Sequence, residues 1–392
     1  MQVGVMVTSY NHRDWDRMLA GDYRQPPATS DIEIHEETMK LGAMVEPLGF
    51  DAIWCAEHYG SPYSMQGNPL QWLAYWAGRT QRVDMGTAVI VAPWWQPVKL
   101  AHEIAMLDLL LDGRRLHIGI GRGISSHEYA GFNVAREESR ERFSEMIQIL
   151  KRSDADRFEF QGKHYNVPPT TVRPTPRHRG SLFGDVRGAF NTPSSMQVAA
   201  ELGLGQMFVT ATSLEVMAKG VSRFNAIRRK NGLPPNQPTV MMYLHCATDK
   251  DEIARARTYA AEQGWAARNH YAVWNAEAFE NVPGYEDYAK AFKQGRALQE
   301  NESILSEDSH LIGTPDEILE KIARVQERIS LEYLILHPQH GSKPAAEARA
   351  SLELFAKAVL PQVHAMATPL HAHSLGTAET APVEGVMGGA VG

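Results

Sequence analysis

Residues 83–123 read VDMGTAVIVAPWWQPVKLAHEIAMLDLLLDGRRLHIGIGRG, and the alternation inside them sets the architecture. The segment opens on an apolar, β-branched run ending at Val91, the pattern of a strand buried on both faces. Pro93 and Pro97 bracket a loop carrying Trp94 and Trp95. Ile104, Leu107, Leu110 and Leu111 then recur at helical spacing until Gly113 stops them. A second buried strand, 116–121, runs straight into Arg122 and Gly123. Both strands end in loops of small or special residues, which is where α/β folds build their sites.

The same rhythm extends outward in both directions. Strands are predicted at 3–7, 52–56, 83–91, 116–121, 181–187, 206–209, 239–247 and 332–337, each followed by a helix or helical excursion. Eight such units are the arithmetic of a (β/α)8 TIM barrel. An open doubly wound sheet shares much of the pattern. The final unit returns to strand and helix without a shift in composition, which favours the barrel. A small hairpin, 157–160 with 163–167, stands outside the alternation, and 9–30 is a long polar loop. Residues 1–364 are therefore expected to form one domain. An aromatic-rich insertion at about 264–301 is expected to be a mobile lid, and the Ala/Gly/Thr-rich tail, 365–392, to be disordered.

Composition narrows the class. The 392 residues carry a net charge of −7, which argues against nucleic acid or an anionic membrane as partner. There is no run of 18 apolar residues and no signal-peptide pattern. The two cysteines, Cys55 and Cys246, lie in apolar runs and read as reduced thiols, so a cytoplasmic protein is expected.

Several residues could carry chemistry. The run GIGRG at 119–123 lacks the spacing of a dinucleotide fingerprint. Arg122, at a strand end between glycines, can present a fixed fork to a phosphate; the alternative is a bridge between helices. Asn191, Thr192, Ser194 and Ser195 lie between a strand and a helix, where they either cap the helix or complete a phosphate site. Glu57 and His58 close the second strand, and His58 is either an acid–base group or a structural histidine. Trp94 and Trp95 are either core residues or a pocket wall, and two together between prolines favour the wall. His337 and His340 are histidine-rich but lack a carboxylate partner placed by sequence, so no metal is assigned.

Taken together, AEHY at 56–59, residues 86–114, IGIGRG at 118–123, NTPSSMQVAAELGLG at 191–205 and LIGTPDEILEKI at 311–322 resemble the bacterial luciferase-like flavin monooxygenases. The resemblance implies a (β/α)8 barrel, usually dimeric, that binds reduced FMN at the C-terminal mouth. It implies that Arg122, Gly123 and the 191–195 loop hold the flavin phosphate, with Tyr129 a further contact. Thr87, Ala88 and Val89 would lie along the isoalloxazine ring, where the family often has a non-prolyl cis peptide, and Glu57 would be a further cofactor-binding residue. His58 matches the histidine tied to oxygen chemistry. The implied reaction uses FMNH2 from a separate NAD(P)H:flavin reductase, and O2, to oxygenate a small apolar or aromatic substrate through a flavin hydroperoxide. A deazaflavin oxidoreductase on the same barrel and a flavin-binding protein without turnover are the alternatives. Light-emitting members have a cysteine where this chain has Gly121, and a histidine where it has Tyr59, so light emission is not implied.

Overall fold

A computed structural model describes residues 1–190, 192–209, 213–271, 282, 285 and 307–376. Its centre is a closed parallel barrel of eight strands. These are β1 (Gln2–Met6), β2 (Ala52–Cys55), β3 (Asp84–Val91), β4 (Leu116–Gly121), β7 (Arg187–Ala189), β8 (Gly205–Phe208), β9 (Thr239–Cys246) and β11 (Tyr333–His337). Each pairs with the next in that order, and β11 closes the ring on β1. β5 (Phe158–Gln161) and β6 (Asn166–Thr170) form the expected antiparallel hairpin outside it. Short β10 (His310–Gly313), absent from the sequence reading, adds to the upper half of β9.

Local chemistry explains the helix boundaries. Helix α2 (Asp31–Val45) begins with a capping box in which the Ser30 side chain accepts from Glu33 N and Glu33 reaches back. Thr314 and Glu317 do the same for the helix Pro315–Ile329, with Pro at the first turn. Helices α3 (Pro69–Ala77), α4 (Pro97–Leu110), α6 (Ser139–Ser153), α7 (Pro193–Glu201), α8 (Leu214–Lys230) and α9 (Lys250–Tyr271) belong to the outer layer. Aliphatic strand residues such as Val3, Val5, Ile53, Ile90 and Ile120 are buried against them in one large core.

Three expectations are corrected. The fifth barrel strand is Arg187–Ala189 rather than 181–187, because Leu182 and Phe183 are buried within a turn instead of a strand. The polar loop at 9–30 contains a short helix, α1 (Trp15–Ala20), anchored by buried Trp15. The tail does not become disordered at 365: Ala372–Leu375 forms a turn of 3-10 helix, where Asn225 Nδ2 donates to the Ser374 carbonyl at 2.7 Å. Residues 377–392 lie outside the described residues, as does the 264–301 insertion apart from 264–271, Val282 and Tyr285. Among the described residues no helix is long and apolar enough to cross a membrane.

Candidate active site at the barrel mouth

The carboxyl ends of the barrel strands surround a cleft. β3 contributes Ala88, Val89 and Val91, and β4 with its following loop contributes Gly121, Arg122 and Gly123. The Ala88–Val89 peptide is cis, and the β3–β4 register shifts between Thr87 and Ile90. The two glycines of this wall leave no room for a side chain. A Cβ on Gly121 would meet Val89 Cγ2 at 2.9 Å, and one on Gly123 (φ +68°) would meet Val91 Cγ1 at 2.7 Å. Tyr10, Tyr63, Tyr243, Tyr271 and His337 line other parts of the cleft.

At one edge lies an arginine-rich cradle. Arg122 Nη2 donates to Ser195 Oγ at 3.0 Å, and Arg140 Nη2 donates to Ser194 Oγ at 2.8 Å. Both serines sit in the first turn of α7, capped by Thr192, whose hydroxyl accepts from Ser195 N at 3.2 Å. Two guanidinium groups and a helix N-terminus thus converge on one spot, a donor set matched to a phosphate monoester. The Arg122 guanidinium also stacks 4.4 Å from the Tyr285 ring centroid, and Tyr285 donates to the Gly123 carbonyl at 2.6 Å. Arg140 was hidden in sequence among the charges of α6. Asn191 lies outside the described residues.

A second cluster surrounds His58. Its Nδ1 lies 3.3 Å from Glu128 Oε1 and 3.1 Å from His270 Nε2, while its Nε2 lies 3.2 Å from the Tyr271 hydroxyl. Ser61 Oγ stands 2.7 Å from His270 Nδ1. Burial alone would raise the Glu128 carboxyl. The charges and hydrogen bonds of His58 and His270 outweigh it and hold that group well below the usual carboxylate range. His270, fully buried, is pushed down to about 4, chiefly by desolvation. The cluster joins β2, α5 (Ser126–Gly131) and the end of α9. The outset of the expected lid is therefore the last two turns of a helix, and it delivers His270 and Tyr271 to the site.

Other expected site residues occupy supporting positions. Glu57 borders the cleft, but its oxygens are taken by Val91 N at 2.7 Å, Trp95 Nε1 at 2.9 and 3.0 Å, and the Tyr59 hydroxyl at 2.9 Å. Thr87 is fully buried and ties β3 to β4 through Gly119, donating to its carbonyl at 2.8 Å and accepting from its N–H at 3.0 Å. Tyr129 donates to the Arg122 carbonyl and so fixes that backbone rather than facing the cradle. Neither tryptophan lines this cleft. Trp95 turns inward onto Glu57, and Trp94 stacks on Phe132 at 5.3 Å behind Gly123. Paired indoles between prolines are as well suited to core packing as to a pocket, and here the buried carboxylate decides it.

Residues 19–330 match the family described as luciferase-like monooxygenase. The chain belongs to that family. It is 30% identical over 247 residues to the oxygenase component of flavin-dependent trigonelline monooxygenase from Acinetobacter baylyi, spanning 62% of this chain and 66% of that one. It is 25% identical over 354 residues to the alkanal monooxygenase alpha chain of Photobacterium leiognathi, spanning 86% and 96%. Among solved structures, the monooxygenase RslO1 from Streptomyces bottropensis superposes with a TM-score of 0.71 at 25% identity, covering 93% of this chain and all of that one. The chain spans just under two thirds of the trigonelline enzyme's length, and 57% of the Photorhabdus laumondii alkanal monooxygenase alpha chain.

Proposed function

We propose that this luciferase-like barrel is the oxygenase half of a two-component monooxygenase that uses reduced FMN and O2 on a small, mostly apolar or aromatic substrate. The carrying observation is the cradle of Arg122, Arg140, Ser194 and Ser195 beside the wall of Ala88, Val89 and Gly121 in the cleft. Reduced FMN would supply the electrons that activate O2. The chain's own part is to grip the phosphate at the cradle and to lay the ring along Ala88, Val89 and Gly121. The tyrosines exclude water, which protects a reactive site from side reactions. His58, with Nε2 beside Tyr271 and Nδ1 beside Glu128, is suited to hold or release a proton at the reacting face. The chain carries no dinucleotide fingerprint, which supports electrons arriving from a separate NAD(P)H:flavin reductase.

Anaerobic titration with reduced FMN, reduced FAD and reduced deazaflavin tests the cofactor, because a terminal phosphate cradle favours a mononucleotide. FMN is expected to bind tightest. Deazaflavin preference would favour hydride transfer instead. With a reductase and a panel of substrates, mass spectrometry is expected to find products heavier by one oxygen atom, with O2 uptake above the uncoupled background. Uptake that never exceeds background would leave a flavin-binding protein without turnover. Sedimentation of the same sample checks the homodimer implied by the family resemblance.

A further inference from the structure

His337 ends β11, and it is the polar group of the cleft whose bonding is incomplete. Its side chain is 2% exposed, yet among the described residues neither ring nitrogen has a hydrogen-bond partner. Its neighbours in the cleft differ in this respect. Tyr10 is bonded to Ser64, Tyr63 to Tyr271 and Gln263, Tyr243 to Gln263, and His58 uses both nitrogens. Buried polar groups in native structures are nearly always satisfied, and an exception in a cavity points to a ligand.

The barrel order says what that ligand meets. β11 and β4 are four strands apart whichever way the ring is followed, so His337 faces Gly121 across the mouth. On the proposed reading, which this inference rests on, the flavin ring lies along β3 and β4. The space in front of its exposed face then ends at His337. There the imidazole is stacked on Tyr243 at 5.1 Å and tilted against Tyr10 at 5.3 Å, so its plane is fixed.

We infer that His337 is the substrate-orienting residue of the cleft, and that the substrate is an uncharged ring compound bearing one carbonyl or hydroxyl group. The aromatic faces of Tyr10 and Tyr243 suit a ring. The lack of charge follows from what surrounds the imidazole. Glu57 is occupied by Val91, Trp95 and Tyr59, and Arg122 belongs to the cradle. Lys343, whose charge His337 feels, is turned away, its Nζ donating to the carbonyls of Leu244 at 2.6 Å and Pro338 at 2.9 Å. Burial and the Lys343 charge push His337 down to about 3, so the ring is neutral and offers one N–H and one lone pair. A carbonyl takes the first and a hydroxyl can take either. A carboxylate would lose its hydration and gain only a neutral donor.

The test is calorimetric titration of the FMN-loaded protein with three probes of one size: para-ethylphenol, ethylbenzene and para-ethylbenzoate. Wild type is expected to bind the phenol roughly fivefold or more tightly than the hydrocarbon, the worth of about one neutral hydrogen bond, and the benzoate most weakly. His337→Phe should bring the phenol down to the level of the hydrocarbon while FMN affinity stays within about twofold, since only one neutral contact is removed. His337→Gln, which keeps a donor and an acceptor, should restore part of the preference and carries the test should the phenylalanine variant fail to melt cooperatively. Equal binding of phenol and hydrocarbon by wild type, preference for benzoate, no binding of any probe, or a preference that survives in His337→Phe would each overturn the inference. Failure of FMN itself to bind would instead remove the flavin reading, and the same probes on flavin-free protein would still read His337.

Discussion

Oε1 of Glu128 lies 3.3 Å from Nδ1 of His58, and the same oxygen accepts the backbone N–H of Tyr59 at 2.7 Å. One buried carboxylate on α5 therefore fixes both the ring and the backbone of the β2 loop. Glu128→Gln keeps the shape and removes the charge. Its carboxyl is held below the usual range, so the stability it contributes is complete above about pH 4.5 and fades as pH falls through the depressed folded value. The gap in melting temperature between wild type and Glu128→Gln should be wide at neutral pH and narrow under acid. A gap independent of pH would mean that the charge contributes nothing.

His58 is predicted to separate binding from chemistry. Replacement by alanine should leave reduced FMN affinity within a few-fold, because the contacts of His58 run to Glu128, His270 and Tyr271 rather than to the cradle residues. Coupled product should fall by ~10²–10⁴-fold, the usual worth of a positioned acid–base group. Quantified product per O2 consumed is the measurement, and an unchanged ratio would return His58 to a structural role.

Arg122 is predicted to act on the phosphate. Arg122→Ala should weaken reduced FMN by about one to two orders of magnitude, while riboflavin, which lacks the phosphate, should bind variant and wild type alike. Arg122→Lys should recover little, since a point ammonium cannot reproduce the fork. Arg140→Ala should show the same FMN-selective loss. Proportional loss of both ligands would make either arginine a scaffold residue.

Glu57 titrates in the opposite sense to Glu128. Desolvation raises its carboxyl to about 8, against the hydrogen bonds of Val91, Trp95 and Tyr59. A raised acid stabilises the fold fully below its unfolded value near pH 4.5 and loses that contribution as pH rises through about 8. From pH 6 to 8 the wild-type melting temperature should drop relative to Glu57→Gln by roughly 2 °C per pH unit. Parallel curves would show that Glu57 ionises normally.

Much of this molecule was legible beforehand, for reasons that can be traced to particular residues. Buried parallel strands such as AIWC at 52–55 and the run to Val91 announce themselves as apolar runs, and Thr314 with Glu317 announces a helix start. The fifth strand escaped because it is only three residues, RGA, with no apolar run to mark it. Arg122 was legible from its place at a strand end. Arg140 was not, because on α6 it is one charge among many. Glu128 and His270 are 142 residues apart (270 − 128), and only the closed barrel brings them to 3.4 Å. His337 was noticed as half of a histidine pair, but its significance lies in bonds it does not make, which no sequence displays.

The cradle has a consequence for the bench. Arg122 and Arg140 already reach Ser195 and Ser194, so on the proposed reading the cradle would discriminate by charge and tetrahedral shape rather than by flavin. Inorganic phosphate and sulfate share both properties. Buffers and precipitants containing them should therefore compete for the seat, raising the apparent dissociation constant of FMN in proportion to their concentration while leaving riboflavin untouched. A preparation judged unable to take up FMN in phosphate buffer deserves a second titration in a zwitterionic one.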